Sequence, residues 1–266
     1  LRQPIALLVV AASLLAFSAG GTTTQAAEQS ATAPDTSTTS PQVHEESLTL
    51  TTEDAVKLQA RLARPEGWQP RAGLAVLCHP HPQYGGTMDD PLIRAVGDAL
   101  NAAGFATIRF NFRGTGRSGG EYAGGLKEPL DVLAAARYAL NELQVGAGRL
   151  ALVGYSFGAG MAAGALHQLP TPVAYAGIAL PVPLKKPEED WTGLYVAARP
   201  VLLVAGARDT LAPPAPLAEL AAARSGNTRL EIIGGASHFF DAPAQRQAVA
   251  KAVVVFVRQV WNDGGH

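Results

Sequence analysis

The sequence predicts an α/β fold with a mostly parallel central sheet, helices on both faces and an antiparallel leading hairpin. Short apolar runs that are typical of buried strands alternate with helical patterns along most of the chain. Repeated strand–helix units favour a parallel sheet covered on both sides, because each helix returns the chain to the same edge. Residues 48–62 differ, since they alternate apolar and polar positions around a short break, which indicates an antiparallel hairpin.

Capping signals and breaks in periodicity place the individual elements. The first helix begins at Asp90 and Pro91, where aspartate caps the first turn and proline takes the first helical position, and it ends before Gly104. The second opens at Glu128 and Pro129. The predicted strands are 48–50, 56–62, 74–78, 106–110, 150–153, 173–180, 201–205 and 230–233. The predicted helices are 91–103, 128–143, 159–166, 214–224 and 244–261.

The N-terminal region is predicted to lie outside this fold. The apolar run at 5–17 follows one positive charge and is too short to span a bilayer, so residues 1–26 are predicted to be a signal peptide. Residues 27–42 are rich in Thr, Ser, Ala and Pro, a composition typical of a disordered tether. Residues 43–266 are then predicted to be a single α/β domain. The protein is expected to be exported and, after processing, to have no stable membrane insertion. An uncleaved membrane anchor is the alternative.

Charge and cysteine content narrow the function classes. The chain has 21 basic and 22 acidic residues and no basic run, so neither nucleic acid nor an anionic membrane is expected as a partner. Its one cysteine, Cys78, excludes an internal disulfide and a cysteine-based zinc site. The same lack of a second cysteine leaves no lipid-attachment site after the apolar run. The oligomeric state is not indicated by the sequence.

The pattern Gly154-Tyr155-Ser156-Phe157-Gly158 is the candidate nucleophile turn. It follows a short apolar strand and precedes a helix of small residues, which is the context that a G-x-S-x-G nucleophile requires. The alternative is a structural turn without catalytic role. A serine nucleophile needs a base and a third group that orients the base, in the chain order Ser, then Asp or Glu, then His. Asp209 and His238 each follow a later predicted strand in that order.

Other residues compete for these roles less well. Asp241 follows His238 too closely to orient it from another strand end, and Glu231 lies within a strand. The histidines at 44, 167 and 266 are read as surface residues. The sequence Gly114–Gly119 matches the dinucleotide pattern G-x-G-x-x-G, but no helix follows directly, so a structural turn is favoured. A His-x-His metal pair at His79 and His81 lacks partner ligands.

The chain resembles the α/β-hydrolase superfamily at Ser156, Asp209 and His238, over essentially everything after the tether. The stretches 78–89 and 110–118 are similar to a group of small bacterial hydrolases that includes dienelactone hydrolases and related esterases with little or no lid. The resemblance implies an α/β-hydrolase fold and a hydrolase that uses these three residues. It does not fix a substrate.

An oxyanion hole needs two backbone N–H groups, and the residue after the nucleophile, Phe157, is expected to supply one. The loop after Cys78 is expected to supply the other, from His81 or Gln83, since proline has no N–H. Position favours His81, which matches the residue after His-Gly in related enzymes. Here Pro80 replaces that glycine.

The sequence therefore predicts a serine hydrolase that cleaves a small acyl substrate, an ester, thioester or amide, without cofactor or metal. A non-catalytic binding protein on the same scaffold and a nucleotide-dependent enzyme are the alternatives. Between the strands at 173–180 and 201–205, where larger relatives carry a lid, only about twenty residues intervene. Trp191 or Tyr195 in that segment lines a pocket or packs on the surface.

Overall fold

The computed structural model describes residues 41–171, 173–182, 192–196, 198–224 and 227–263. The predicted signal peptide, nearly all of the predicted tether, Trp191 and His266 lie outside these residues. Among the helices of this part of the chain, none combines the length and apolar composition that crossing a bilayer requires.

Eight strands form one sheet in the order β1-β2-β4-β3-β5-β6-β7-β8. The β1–β2 hairpin is antiparallel, β2 also pairs antiparallel with β4, and all remaining neighbours are parallel. The predicted fold class is confirmed. The strands are β1 (Val43–Thr51), β2 (Lys57–Pro65), β3 (Leu74–Cys78), β4 (Ala106–Phe110), β5 (Leu150–Tyr155), β6 (Ala174–Ile178), β7 (Val201–Gly206) and β8 (Thr228–Ile233).

Helices cover both faces of the sheet because its central strands are apolar on both sides. Along β3, Leu74 and Val76 belong to one buried cluster, and Ala75 and Leu77 belong to the other. Buried side chains of α2, α3 and α4 complete the first cluster, and those of α1 and α5 complete the second. The helices are α1 (Pro91–Ala102), α2 (Glu128–Asn141), α3 (Phe157–Ala165), α4 (Pro214–Ala223) and α5 (Pro243–Asp263).

Several predicted element ends differ from the observed ones, and β1 begins at Val43 rather than at residue 48. Two of the differences lie at the candidate nucleophile. Strand β5 continues to Tyr155, and α3 begins at Phe157, so a single residue, Ser156, connects them. The sequence pattern left a longer connection because Gly154 and Gly158 are poor strand and helix formers. Close packing overrides these preferences. The predicted cap of α1 is confirmed, since the Asp90 carboxylate accepts hydrogen bonds from the N–H groups of Leu92 and Ile93.

Candidate active site

Ser156 occupies a strained turn at the carboxyl end of the central strand β5. Its backbone has φ 53° and ψ −116°, a left-handed φ that is costly for a residue with a side chain. The Ser156 N–H donates to the carbonyl of Ile178 on the neighbouring strand at 2.8 Å, which helps to hold the turn. This turn places the serine hydroxyl above the end of the sheet.

Both flanking glycines are required by close backbone contacts. A Cβ on Gly154 would lie 2.4 Å from the carbonyl oxygen of Gly158, and one on Gly158 would lie 2.3 Å from the carbonyl oxygen of Cys78. Neither oxygen belongs to a flexible side chain, so any larger residue would push the strand, the helix or the loop after β3 aside. This crowding is the physical reason for glycine at both ends of the motif.

Ser156, His238 and Asp209 form one hydrogen-bonded chain. The Ser156 Oγ lies 2.8 Å from His238 Nε2, and His238 Nδ1 lies 2.8 Å from Asp209 Oδ2. The three residues come from the ends of β5, β8 and β7, which meet at the same edge of the sheet. Asp209 and His238 are buried, whereas Ser156 remains half-exposed. The sequence placed all three at strand ends, and the structure brings them into contact.

The Asp209 carboxylate is held by two backbone donors as well as by the histidine. Its Oδ1 accepts from the N–H groups of Leu211 at 2.9 Å and Ala212 at 2.7 Å, which leaves Oδ2 facing the imidazole. A carboxylate can only accept, so His238 must carry its proton on Nδ1. The lone pair of Nε2 then faces the serine hydroxyl, which is the arrangement of a general base.

Tyr155 supports the histidine, a role that the sequence analysis did not assign. Its buried hydroxyl donates to the carbonyl oxygen of His238 at 2.9 Å, and its ring centroid lies 5.9 Å from that of the imidazole. Burial raises the pKa of Tyr155, so the hydroxyl stays protonated and available as a donor. The residue was visible inside the G-x-S-x-G pattern, but its partner is 83 positions away in the chain.

Replacement of Tyr155 by Phe is expected to lower kcat about 10-fold, because a displaced imidazole transfers protons less efficiently. Tyr175→Phe is the matched control, since Tyr175 also donates a buried hydroxyl to a backbone carbonyl, that of Ala159, at 2.9 Å. Both variants should lose about 1 kcal/mol of folding stability. Steady-state kinetics on both variants, with thermal melts alongside, separates the two effects. Equal kcat values in the two variants would contradict the role given to Tyr155.

The loop after β3 brings His81 next to Phe157. Their ring centroids are 4.9 Å apart, and the Tyr122 hydroxyl lies 3.0 Å from His81 Nε2. The Gln83 N–H donates to His81 Nδ1 at 3.3 Å within the short helical turn Pro82–Tyr84. Because this bond engages the Gln83 N–H, Gln83 is the weaker candidate for the second oxyanion donor. Tyr122, on the loop after β4, is a further residue of the site that the sequence pattern did not reveal.

His79 has a structural role in the same loop. Its ring is fully buried, with Nδ1 2.6 Å from the Pro80 carbonyl oxygen and Nε2 accepting from the Phe112 N–H at 3.1 Å. Burial lowers the pKa of His79 to about 4, so the ring is neutral. Both ring nitrogens are engaged, which argues against a metal at His79 and His81. Within the described ranges, no group of three or more His, Cys, Asp or Glu side chains could hold a metal ion.

The glycine-rich segment after β4 is a structural turn. Gly114 and Gly116 both have positive φ, and a Cβ on Gly116 would lie 2.3 Å from the Asn111 side-chain nitrogen. Helix α2 begins only at Glu128, so the glycines do not open a helix N-terminus as a dinucleotide site requires.

The competing residues contact groups other than the serine. The Asp241 carboxylate accepts a hydrogen bond from the Ser237 hydroxyl, and the Glu231 carboxylate forms an ion pair with Arg229. The Nδ1 atom of His167 lies 2.7 Å from the carbonyl oxygen of Gly164. His44 is an exposed residue of edge strand β1. Tyr195 is also exposed.

Residues 75–259 match the family model described as an alpha/beta hydrolase domain. Among solved structures, an α/β serine hydrolase homologue from Coxiella burnetii is 29% identical with a TM-score of 0.68, covering 79% of this chain and 96% of that one. An α/β serine hydrolase without a lid from Xanthomonas campestris is 26% identical with a TM-score of 0.68, covering 81% and 94%. An uncharacterized protein of Rickettsia prowazekii is 28% identical over 189 residues, which are 69% of this chain and 78% of that protein.

Proposed function

Because this chain belongs to the α/β-hydrolase family, we propose that it is a serine hydrolase that cleaves carboxylic esters, or related thioesters and amides, through an acyl-enzyme. The observation that carries the proposal is the continuous hydrogen-bonded chain from Ser156 through His238 to Asp209. A binding protein on the same scaffold would need neither a serine in a strained turn nor a histidine beside it whose tautomer is set by a carboxylate.

The first half of the reaction forms the acyl-enzyme. The Ser156 oxygen attacks the acyl carbonyl carbon while its proton passes to His238 Nε2. Asp209 remains ionised and stabilises the resulting imidazolium. The tetrahedral intermediate then collapses, the bond from the carbonyl carbon to the leaving group breaks, and the His238 proton moves to the leaving atom.

The negative charge on the intermediate needs donors that are in place before the reaction. We assign this role to the backbone N–H groups of Phe157 and His81. The contact between their rings and the Tyr122–His81 hydrogen bond support the assignment, because they hold the loop after β3 against the start of α3 and against the loop after β4.

The second half of the reaction hydrolyses the acyl-enzyme. Water gives a proton to His238 Nε2 and attacks the acyl carbon, and the returning proton releases Ser156 and a carboxylic acid. Every proton and every bond in this cycle is accounted for by the chain, the substrate and water.

Treatment with a fluorophosphonate is expected to label Ser156 covalently, because such reagents capture an activated serine. Peptide mass spectrometry of the labelled protein identifies the modified residue, and heat-unfolded protein is the control for non-specific labelling. An adduct on another serine would move the nucleophile elsewhere. Folded protein without any adduct would favour the binding-protein alternative.

We further propose that the mature protein acts outside the cytoplasm, on the strength of the signal-like run at residues 5–17 and the Thr/Ser-rich sequence after it. N-terminal sequencing of the native protein from fractionated cells is expected to give a first residue between 21 and 28. Cytosolic protein that retains residues 5–17 would overturn export, and membrane-bound protein that retains them would favour an anchor.

A further inference from the structure

The loop after β8 carries three consecutive ring side chains in three different environments. His238 points to Ser156, and Phe240 is fully buried in the core with its ring 6.2 Å from that of Tyr155. Phe239, between them, is 63% exposed. Its ring meets the His238 imidazole edge to face, with centroids 5.5 Å apart and an interplanar angle of 89°. A large apolar side chain is therefore presented to solvent directly beside the histidine.

Hydrogen bonds fix the backbone on both sides of Phe239, at His238 and at Phe240. The Tyr155 hydroxyl bonds the carbonyl of His238, and Arg246 Nη1 donates to the carbonyl of Phe240 at 3.0 Å. The Phe239 N–H donates to the Ser237 hydroxyl at 3.2 Å, and Phe240 has the left-handed φ of 46°. An aromatic ring on a backbone held in this way loses little entropy when it contacts a ligand.

Leu211 is a second exposed apolar residue, and its backbone is bonded to Asp209. It is 54% exposed, and its N–H is bound to the Asp209 carboxylate two residues earlier. The aromatic group around His81 is separate, because the His81 ring contacts those of Tyr84, Tyr122 and Phe157, whereas the Phe239 ring contacts His238.

We propose that Phe239, with Leu211, forms an apolar shelf for the leaving group, so that the enzyme prefers esters of bulky apolar or aromatic alcohols. This inference rests on the proposed function. His238 must pass its proton to the alcohol oxygen as the ester C–O bond breaks, so that oxygen comes within hydrogen-bond distance of Nε2. The substituent on this oxygen then lies next to the histidine, where Phe239 is the adjacent exposed apolar surface. The shelf selects the alcohol part of the substrate and leaves the acyl part to other residues.

Two series of esters distinguish selection of the alcohol part of the substrate from selection of the acyl part. One series keeps acetate and changes the alcohol from ethanol to hexanol to benzyl alcohol, and the other keeps ethanol and lengthens the acyl chain from acetate to hexanoate. The unmodified protein is expected to prefer benzyl and hexyl acetate over ethyl acetate. Phe239→Ser should lower kcat/KM for benzyl and hexyl acetate about 10-fold, mainly through KM, because the lost contact is apolar burial. Ethyl esters of every acyl length should change by less than about 2-fold.

Three further variants complete the design. Phe239→Leu should restore most of the benzyl preference, and Leu211→Ser should weaken it by about 3-fold. Ile232→Ser is the matched control, because Ile232 is 51% exposed on β8. This substitution removes a comparable apolar surface at another position. Fluorophosphonate labelling of each variant confirms that its site is assembled.

The outcomes are distinguishable. A benzyl-to-ethyl ratio that is the same in Phe239→Ser as in the unmodified protein would overturn the shelf and leave the hydrolase proposal standing. A loss that follows acyl length, or one that Ile232→Ser reproduces, would also overturn it. Failure of the unmodified protein to hydrolyse any ester in either series would overturn the shelf and the proposed ester hydrolysis together.

Discussion

Ser156→Ala is expected to lower kcat for ester hydrolysis on the order of 10⁴-fold or more, since the proposed acyl-enzyme forms on the Ser156 oxygen. The effect should be chemical rather than structural. The φ of 53° strains alanine about as much as serine, and the flanking glycine contacts are unchanged. Initial rates on a p-nitrophenyl ester, with circular dichroism on the same samples, measure both.

A serine-to-alanine change far from the site provides the control for this experiment. Ser47 is exposed on β1, the opposite edge of the sheet from β8, so Ser47→Ala should keep full activity. Retention of esterase activity in Ser156→Ala would require a different nucleophile and would end the mechanism proposed above.

Asp209→Asn is expected to lower kcat by roughly 10³- to 10⁴-fold with little change in fold. The surrounding hydrogen bonds decide which end of the amide faces the histidine. The N–H groups of Leu211 and Ala212 require an acceptor, so they retain the amide oxygen and direct the NH₂ group toward His238. An NH₂ donor facing Nδ1 stabilises the tautomer with the proton on Nε2, which cannot accept the serine proton.

Asp241→Asn tests whether any nearby carboxylate would serve. Asp241 is three positions after His238 but accepts from Ser237, so its amide variant should keep kcat within about 2-fold. Near-normal turnover in Asp209→Asn would transfer the orienting role to another group. The pH dependence of kcat/KM in both variants reports the base directly.

Much of this site was predictable because its chemistry depends on local signals. In a parallel sheet all carboxyl ends meet at one edge, so Ser156, Asp209 and His238 could be placed together without knowing the strand order. The glycines at 154 and 158 were interpretable for the same reason, since the crowding they relieve arises within one turn.

The residues that the sequence analysis missed act across the sheet. The Tyr155–His238 contact joins the end of β5 to the loop after β8, and the Tyr122–His81 contact joins two loops. In each pair the two residues are far apart in the chain, and their distance depends on the path of the loops. No pattern of spacing or hydropathy encodes such a pair. Phe239 was equally hidden, because a phenylalanine beside a strand end is ordinarily read as part of the core.

The strand order has a consequence for how the protein would fail under stress. Of the strands described, β8 is at one end of the sheet and pairs only with β7, and most of its residues are half-exposed. Edge elements open with less free energy than central ones. Since β8 leads directly into the loop with His238, fraying there would withdraw the base while β5 still presents Ser156. On warming, hydrolytic activity should therefore be lost at a lower temperature than the one at which the whole domain unfolds. Cooling should restore the activity as long as the central strands have remained paired.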